Sequence, residues 1–152
     1  MESLVDATFW KDKKVFITGH TGFKGSWMCR VLLNFGAQVF GYSLPAPTDP
    51  NLYSLAELEN NMSGTLADIR NFEKLKTSFN EAKPEIVIHM AAQPIVRESF
   101  NDPRYTYETN VMGTVNLLEC LRLSNSVKSF LNVTTDKVYK NNEWVWGYRE
   151  TE

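Results

Sequence analysis

An α/β fold with a doubly wound, mainly parallel sheet is predicted by three observations on this sequence. Short β-branched runs alternate with stretches of helical periodicity. Glycines recur every third residue between the first such run and the helix after it. The length, 152 residues, suits one domain with a real core. Strands alternating with helices imply crossovers, and crossovers imply parallel strands covered on both faces. The expected strand order is 3-2-1-4-5, with ligand at the carboxyl ends where the winding reverses.

Each element follows from local signals. Residues 15–18 are a compact strand after a lysine-rich entry. A helix over 22–35 carries Trp27, Met28, Val31, Leu32 and Phe35 on one expected face, with Gly36 as its C-terminal cap. Residues 38–42 are the second strand. Residues 43–61 hold Pro45, Pro47 and Pro50 and a short helical pattern over 52–58, an excursion over the surface. A weak third strand spans 65–67. Asn71 caps a helix running to about Glu81. Pro84 breaks it, and Ile86, Val87 and Ile88 form the fourth strand. Asp102 and Pro103 start a helix that continues to about Leu123, with Val111, Val115, Leu118 and Leu121 as the expected buried stripe. Residues 130–133 are the fifth strand.

Composition narrows the function classes. A net charge of -2 and a pI near 5.7 give no basic field for nucleic acid. No apolar run is long enough to cross a bilayer, and the N-terminus lacks the apolar stretch of a secretory signal, so a cytoplasmic location is expected. Cys29 and Cys120 lie in apolar helical contexts without C-x-x-C spacing and read as buried reduced thiols. His20 and His89 are the only histidines and lie on different loops, so no metal site is expected.

The segment Thr18-Gly19-His20-Thr21-Gly22-Phe23-Lys24-Gly25 points to dinucleotide binding. Gly19 permits a tight turn, Gly22 lets backbone approach a pyrophosphate, and Gly25 lets helix and strand pack closely. The helix N-terminus adds free N–H groups and a positive dipole end. This is a Rossmann-type arrangement. NAD-binding domains often place Asp or Glu after the second strand, but here the first acid is Asp49, and no Arg or Lys stands there for a 2′-phosphate. These residues leave NAD and NADP open.

The G-x-x-G-x-x-G spacing resembles the extended branch of the short-chain dehydrogenase/reductase superfamily. Asp68-Ile69-Arg70 after the third strand resembles the adenine-contacting position of that family. His89-Met90-Ala91-Ala92-Gln93 after the fourth resembles the stretch where backbone passes close to the cofactor. Asn110, within Thr109-Asn110-Val111-Met112-Gly113-Thr114, resembles the active-site asparagine. The resemblance implies cofactor contacts from Gly19, His20, Thr21, Gly22, Phe23, Lys24, Gly25, Asp68, Ile69, Ala91, Ala92, Gln93 and Asn110. It implies NAD as the cofactor. Plainer readings make Asp68 a loop acid, Asn110 a partner of helix backbone, and Lys24 a solvated charge.

Thr134-Thr135-Asp136-Lys137 follows the fifth strand and resembles the sugar-nucleotide 4,6-dehydratases. In that chemistry hydride leaves sugar C4, the ketone acidifies C5–H, water is lost across C5–C6, and hydride returns to C6. The resemblance implies Thr135 on the C4 oxygen, Asp136 as the acid at the C6 hydroxyl and Lys137 as the base at C5. A lysine starts near about 10.4 and must be desolvated or placed by positive charge to act as a base. A surface Asp-Lys pair in a turn is the plain alternative. Phe9-Trp10-Lys11 with the stretch 19–27, and the stretch 142–150, resemble the CDP-glucose branch of these dehydratases, which serves deoxysugar synthesis for polysaccharides. CDP-glucose is therefore the substrate that the resemblance implies, with a homodimer as the expected assembly.

No Tyr-x-x-x-Lys, the motif whose tyrosine permits hydride transfer in this family, occurs in the 152 residues. Later strands and a sugar-nucleotide domain are expected elsewhere, the whole of 1–152 being the cofactor domain. The fifth strand is then expected to keep one unpaired edge, and this chain alone is expected to be inactive. The open alternatives are a dinucleotide-binding module without catalysis, a UDP-N-acetylglucosamine dehydratase and a sugar-nucleotide epimerase.

Overall fold

A computed structural model describes residues 6–135 and 137–151. Its elements run α1 (Ala7–Trp10), β1 (Lys14–Thr18), α2 (Phe23–Asn34), β2 (Gln38–Ser43), α3 (Leu52–Leu55), α4 (Leu58–Asn61), β3 (Ser63–Leu66) and α5 (Phe72–Ala82). Then come β4 (Ile86–His89), α6 (Val96–Asn101), α7 (Pro103–Tyr107), a π-helical turn (Glu108–Met112), α8 (Gly113–Leu123) and β5 (Ser129–Asn132). The five strands are all parallel, in the order β3-β2-β1-β4-β5. That is the order and direction the alternation predicts.

Period-two alternation divides the strands between two cores. Val15, Ile17, Val39, Ile86 and Ile88 point to one face, where Cys29 and Leu32 of α2 and Leu58 of α4 cover them. Phe16, Tyr42 and Val87 point to the other, covered by Leu75 and Phe79 of α5 and Leu117 and Cys120 of α8. The two cysteines are thus buried on opposite faces of the sheet. Burial pushes both thiols up, to about 12 for Cys29 and about 11 for Cys120.

The caps stand where the sequence places them. Asn71 accepts from the Lys74 N–H at 3.1 Å, and Asp102 from the Tyr105 N–H at 2.9 Å with Pro103 in the first helical position. Gly36, at φ +80°, ends α2 while Ala37 N–H reaches back to the Leu32 carbonyl.

Two expected helix faces are corrected. In α2 the buried residues are Gly25, Ser26, Cys29 and Leu32, whereas Trp27 and Val31 are exposed. The first turn of α2 lies so close to the glycine turn that only small side chains fit inside. In the long helix the buried residues are Thr109, Gly113, Leu117 and Cys120, while Val111, Val115 and Leu118 are exposed. The helix approaches Ile69 at Gly113, where a Cβ would stand 2.6 Å from Ile69 Cγ2. That contact selects the face with the smallest residue over the face with the most apolar ones. β5 pairs with β4 and, among the described residues, with no other strand.

Candidate functional site

Parallel strands deliver their following loops to one end of the sheet, and there the candidate residues stand. The turn after β1 carries Gly19 to Gly25, the loop after β3 carries Asp68 and Ile69, and the loop after β4 carries Ala91, Ala92 and Gln93. Thr135 and Lys137 follow β5, and Asn110 sits in the π turn. Asp136 lies outside the described residues.

Backbone proximity explains the glycines. Gly19 has φ +78°, and a Cβ there would meet Ala91 N and Met90 C at 2.9 Å, so β1 and β4 can close together only without a side chain. At Gly25 a Cβ would stand 2.0 Å from the Gly19 carbonyl oxygen. Ser26 donates its hydroxyl to the His20 carbonyl at 3.0 Å and fixes the turn from below. At Gly22 a Cβ would touch only the Gly19 oxygen at 3.4 Å. The outer side of Gly22 is therefore bare backbone at the N-terminus of a twelve-residue helix. That geometry suits an approaching pyrophosphate.

Not every candidate presents its side chain there. His20 is fully buried, its ring edge-on to Tyr53 and seated over Gly41 and Gly64, which lack the Cβ atoms that would collide with it. Burial pushes its pKa down to about 4, against a small opposing pull from the Tyr42 carbonyl. Ile69 is buried against Gly113. The side chains of His20 and Ile69 thus pack into the interior, and only their backbone is open to the carboxyl end of the sheet. Phe23 and Lys24 are exposed on the outside of the turn, and Thr21 is buried. The Thr21 hydroxyl donates to the Leu44 carbonyl at 2.7 Å and meets the Ser43 hydroxyl at 2.9 Å. Neutral hydroxyls thereby occupy the end of β2 where an acid is often found.

Asn110 does not bond helix backbone. Its Oδ1 accepts from the Gln93 N–H at 2.7 Å, and its Nδ2 donates to the Gln93 carbonyl at 3.0 Å. The π turn aims this side chain at the loop after β4. Such turns recur at functional sites.

Asp68 stands in a network of ion pairs. Arg70 donates to its carboxylate through Nε at 3.1 and 3.0 Å and Nη2 at 2.8 Å, and through Nη1 to Glu108 at 2.9 Å. Arg104 also holds Glu108, at 2.7 Å, and the Arg70 guanidinium lies 4.7 Å from the Tyr105 ring centre. Arg70 hydrogen bonding keeps the Asp68 carboxyl below its ordinary range. Asp68, Arg70, Asn71, Glu108, Met112 and Asn116 line a cleft of about 550 Å³. Glu108 and Asn116 escape sequence reading, because the Arg70 and Ile69 groups that they meet lie on a different element. Asn116 donates to the carbonyls of Ile69 and Arg70.

After β5 the Lys137 N–H donates to the Thr135 hydroxyl at 3.1 Å, and both residues follow the carboxyl end of that strand. The backbone reaches that end by the Val133 N–H bond to the His89 carbonyl.

Fold and turn together define a Rossmann-type parallel α/β class. Comparison with known proteins narrows it. Residues 16–151 match the family model described as GDP-mannose 4,6 dehydratase. The chain is 55% identical over 149 residues to CDP-glucose 4,6-dehydratase of Salmonella typhimurium, covering 98% of this chain and 42% of that protein. It is 34% identical to CDP-paratose 2-epimerase of Salmonella typhi, covering 91% and 41%. Among solved structures, the UDP-glucose 4-epimerase of Thermus thermophilus in complex with NAD superposes with a TM-score of 0.66 at 31% identity, over 76% of this chain and 35% of that one. The chain belongs to the GDP-mannose 4,6 dehydratase family, within the nucleotide-sugar short-chain dehydrogenase/reductases. It spans about two fifths of the length of these two curated relatives.

Proposed function

We propose that this chain is the NAD-binding part of a CDP-glucose 4,6-dehydratase. The observation that carries this reading is the 55% identity to that enzyme across 98% of the chain. The placement of Thr135 and Lys137 at the carboxyl end of the sheet supports it. The dinucleotide fits the residues present: bare backbone at Gly22, closed packing at Gly19 and Gly25, and N–H groups at the start of α2. NAD would supply the acceptor, and later the donor, of a hydride.

The remaining steps belong to the chain's own groups. Gly19 to Gly25 would hold the pyrophosphate, and Asp68 the adenine amine. The loop of Ala91, Ala92 and Gln93 would lie along the cofactor, fixed by Asn110. Thr135 would donate to the C4 oxygen of the sugar. Lys137 would take the C5 proton and Asp136 would protonate the departing C6 hydroxyl. The cofactor domain would be 1–152, residues among which no Tyr-x-x-x-Lys occurs. The chain by itself would not turn over substrate.

The test is product formation by the whole protein that carries this chain. CDP-glucose should yield CDP-4-keto-6-deoxyglucose, in preference to UDP-, GDP- and dTDP-sugars. Loss of that preference, or a C4-epimerised sugar as product, would overturn the reading.

A further inference from the structure

Thr18, His89, Thr114 and Asn110 form one line of hydrogen bonds whose direction is fixed from both ends. Thr114 Oγ1 lies 2.7 Å from the Asn110 carbonyl, which can only accept, so the hydroxyl proton is used there. His89 Nε2 lies 2.9 Å from the same oxygen and must therefore donate to it. At the other end the N–H groups of Met90 and Ala91 both donate to Thr18 Oγ1 at 3.1 Å. With both lone pairs filled, Thr18 has only its proton left, and it donates to His89 Nδ1 at 2.6 Å. The two ends independently require the same neutral ring, protonated at Nε2 and bare at Nδ1.

The line spans the site. Thr18 precedes Gly19 and supports the backbone of Met90 and Ala91, against which Gly19 packs. Asn110 continues the line through its side chain to both backbone groups of Gln93. Thr18 and His89 are buried, so none of their bonds is readily replaced by water.

We propose that His89, as the neutral Nε2–H imidazole, is a positioning residue. It couples the ends of β1 and β4 to the π turn and so sets Asn110 and Gln93 at the cofactor-facing rim. This rests on reading that rim as a dinucleotide site. Protonation of the ring at Nδ1 would turn two protons toward each other at Thr18, and the line would break.

The tautomer is read by long-range proton–nitrogen NMR on the labelled chain near neutral pH. His89 is assigned against a His20→Gln spectrum, since the chain has only two histidines. The expected spectrum has a protonated Nε2 and a bare Nδ1. Coupling is read by hydrogen exchange and NAD titration in Thr114→Val, which keeps the shape and removes the hydroxyl, and in Thr114→Ser, which keeps the hydroxyl. The Gln93 amide should exchange about tenfold faster in the valine variant, and NAD should bind about tenfold more weakly, the size of one lost hydrogen bond. The core amide of Val87 should not change, and the serine variant should behave as the parent. A proton on Nδ1, or an unchanged Gln93 amide in the valine variant, would overturn the proposal. A parent chain that binds no NAD would overturn the dinucleotide reading instead, leaving the spectrum and the amide exchange to judge His89.

Discussion

Acidification should destabilise this chain well before its carboxylates protonate, and the two histidines set the size of the effect. His20 is fully buried over glycines, and His89 has both ring nitrogens engaged in one tautomer. Burial pushes each from 6.5 to about 4. Unfolded, each takes up a proton as the pH falls through about 6.5, whereas folded, neither does until about 4. Stability is therefore complete above the unfolded value and is lost as pH falls toward the folded one. Between about pH 7.5 and pH 5 the linkage is worth about 2 kcal/mol for each ring, hence about 4 kcal/mol together. Against a typical domain stability of about 5–15 kcal/mol that is a large share. The carboxylates of Asp68, Glu85, Glu108 and Glu119 are held below their ordinary range by their cationic partners. They stay ionised in this window and fade only at lower pH. The assay is urea unfolding at the two pH values, for the parent and for His20→Gln, which should show about half the pH effect. Equal stability at both pH values, or a His20→Gln variant with the full effect, would refute the reasoning.

Further outcomes follow from the site. Gly25→Ala would drive a Cβ into the Gly19 carbonyl at 2.0 Å. Neither atom can yield without opening the turn, so stability should fall by about 1–3 kcal/mol in urea unfolding and NAD binding should be lost in calorimetry. Arg70→Ala removes the fork on Asp68 and the tie to Glu108. These pairs are about one third exposed, so stability in urea unfolding should change little, while calorimetry should show NAD binding clearly weakened. In the whole protein, Lys137→Ala should abolish exchange of the C5 proton with solvent, followed by proton NMR in heavy water, while NAD binding persists.

Much of this was legible in sequence because the signals are local. Gly19, Gly22 and Gly25 act on backbone within one turn, and Asn71, Asp102 and Pro103 act on the N–H groups directly after them. Faces were less legible. Trp27 is the largest apolar residue of α2, yet it and Val31 face outward while Gly25 and Ser26 face inward, because close approach to the turn admits only small side chains. The same trade-off at Gly113 turns Val111, Val115 and Leu118 outward. The bonds of Arg70 to Glu108, of His89 to Thr18 and Thr114, and of Asn110 to Gln93 join residues 17 to 71 positions apart. Those pairings depend on the sheet order and on the π turn, which no local pattern announces.

The most direct test is isothermal titration of NAD into this chain, with NADP as the control and circular dichroism to establish folding. The account predicts saturable binding of one NAD per chain, abolished in Gly25→Ala. A folded chain that takes up neither dinucleotide would contradict it.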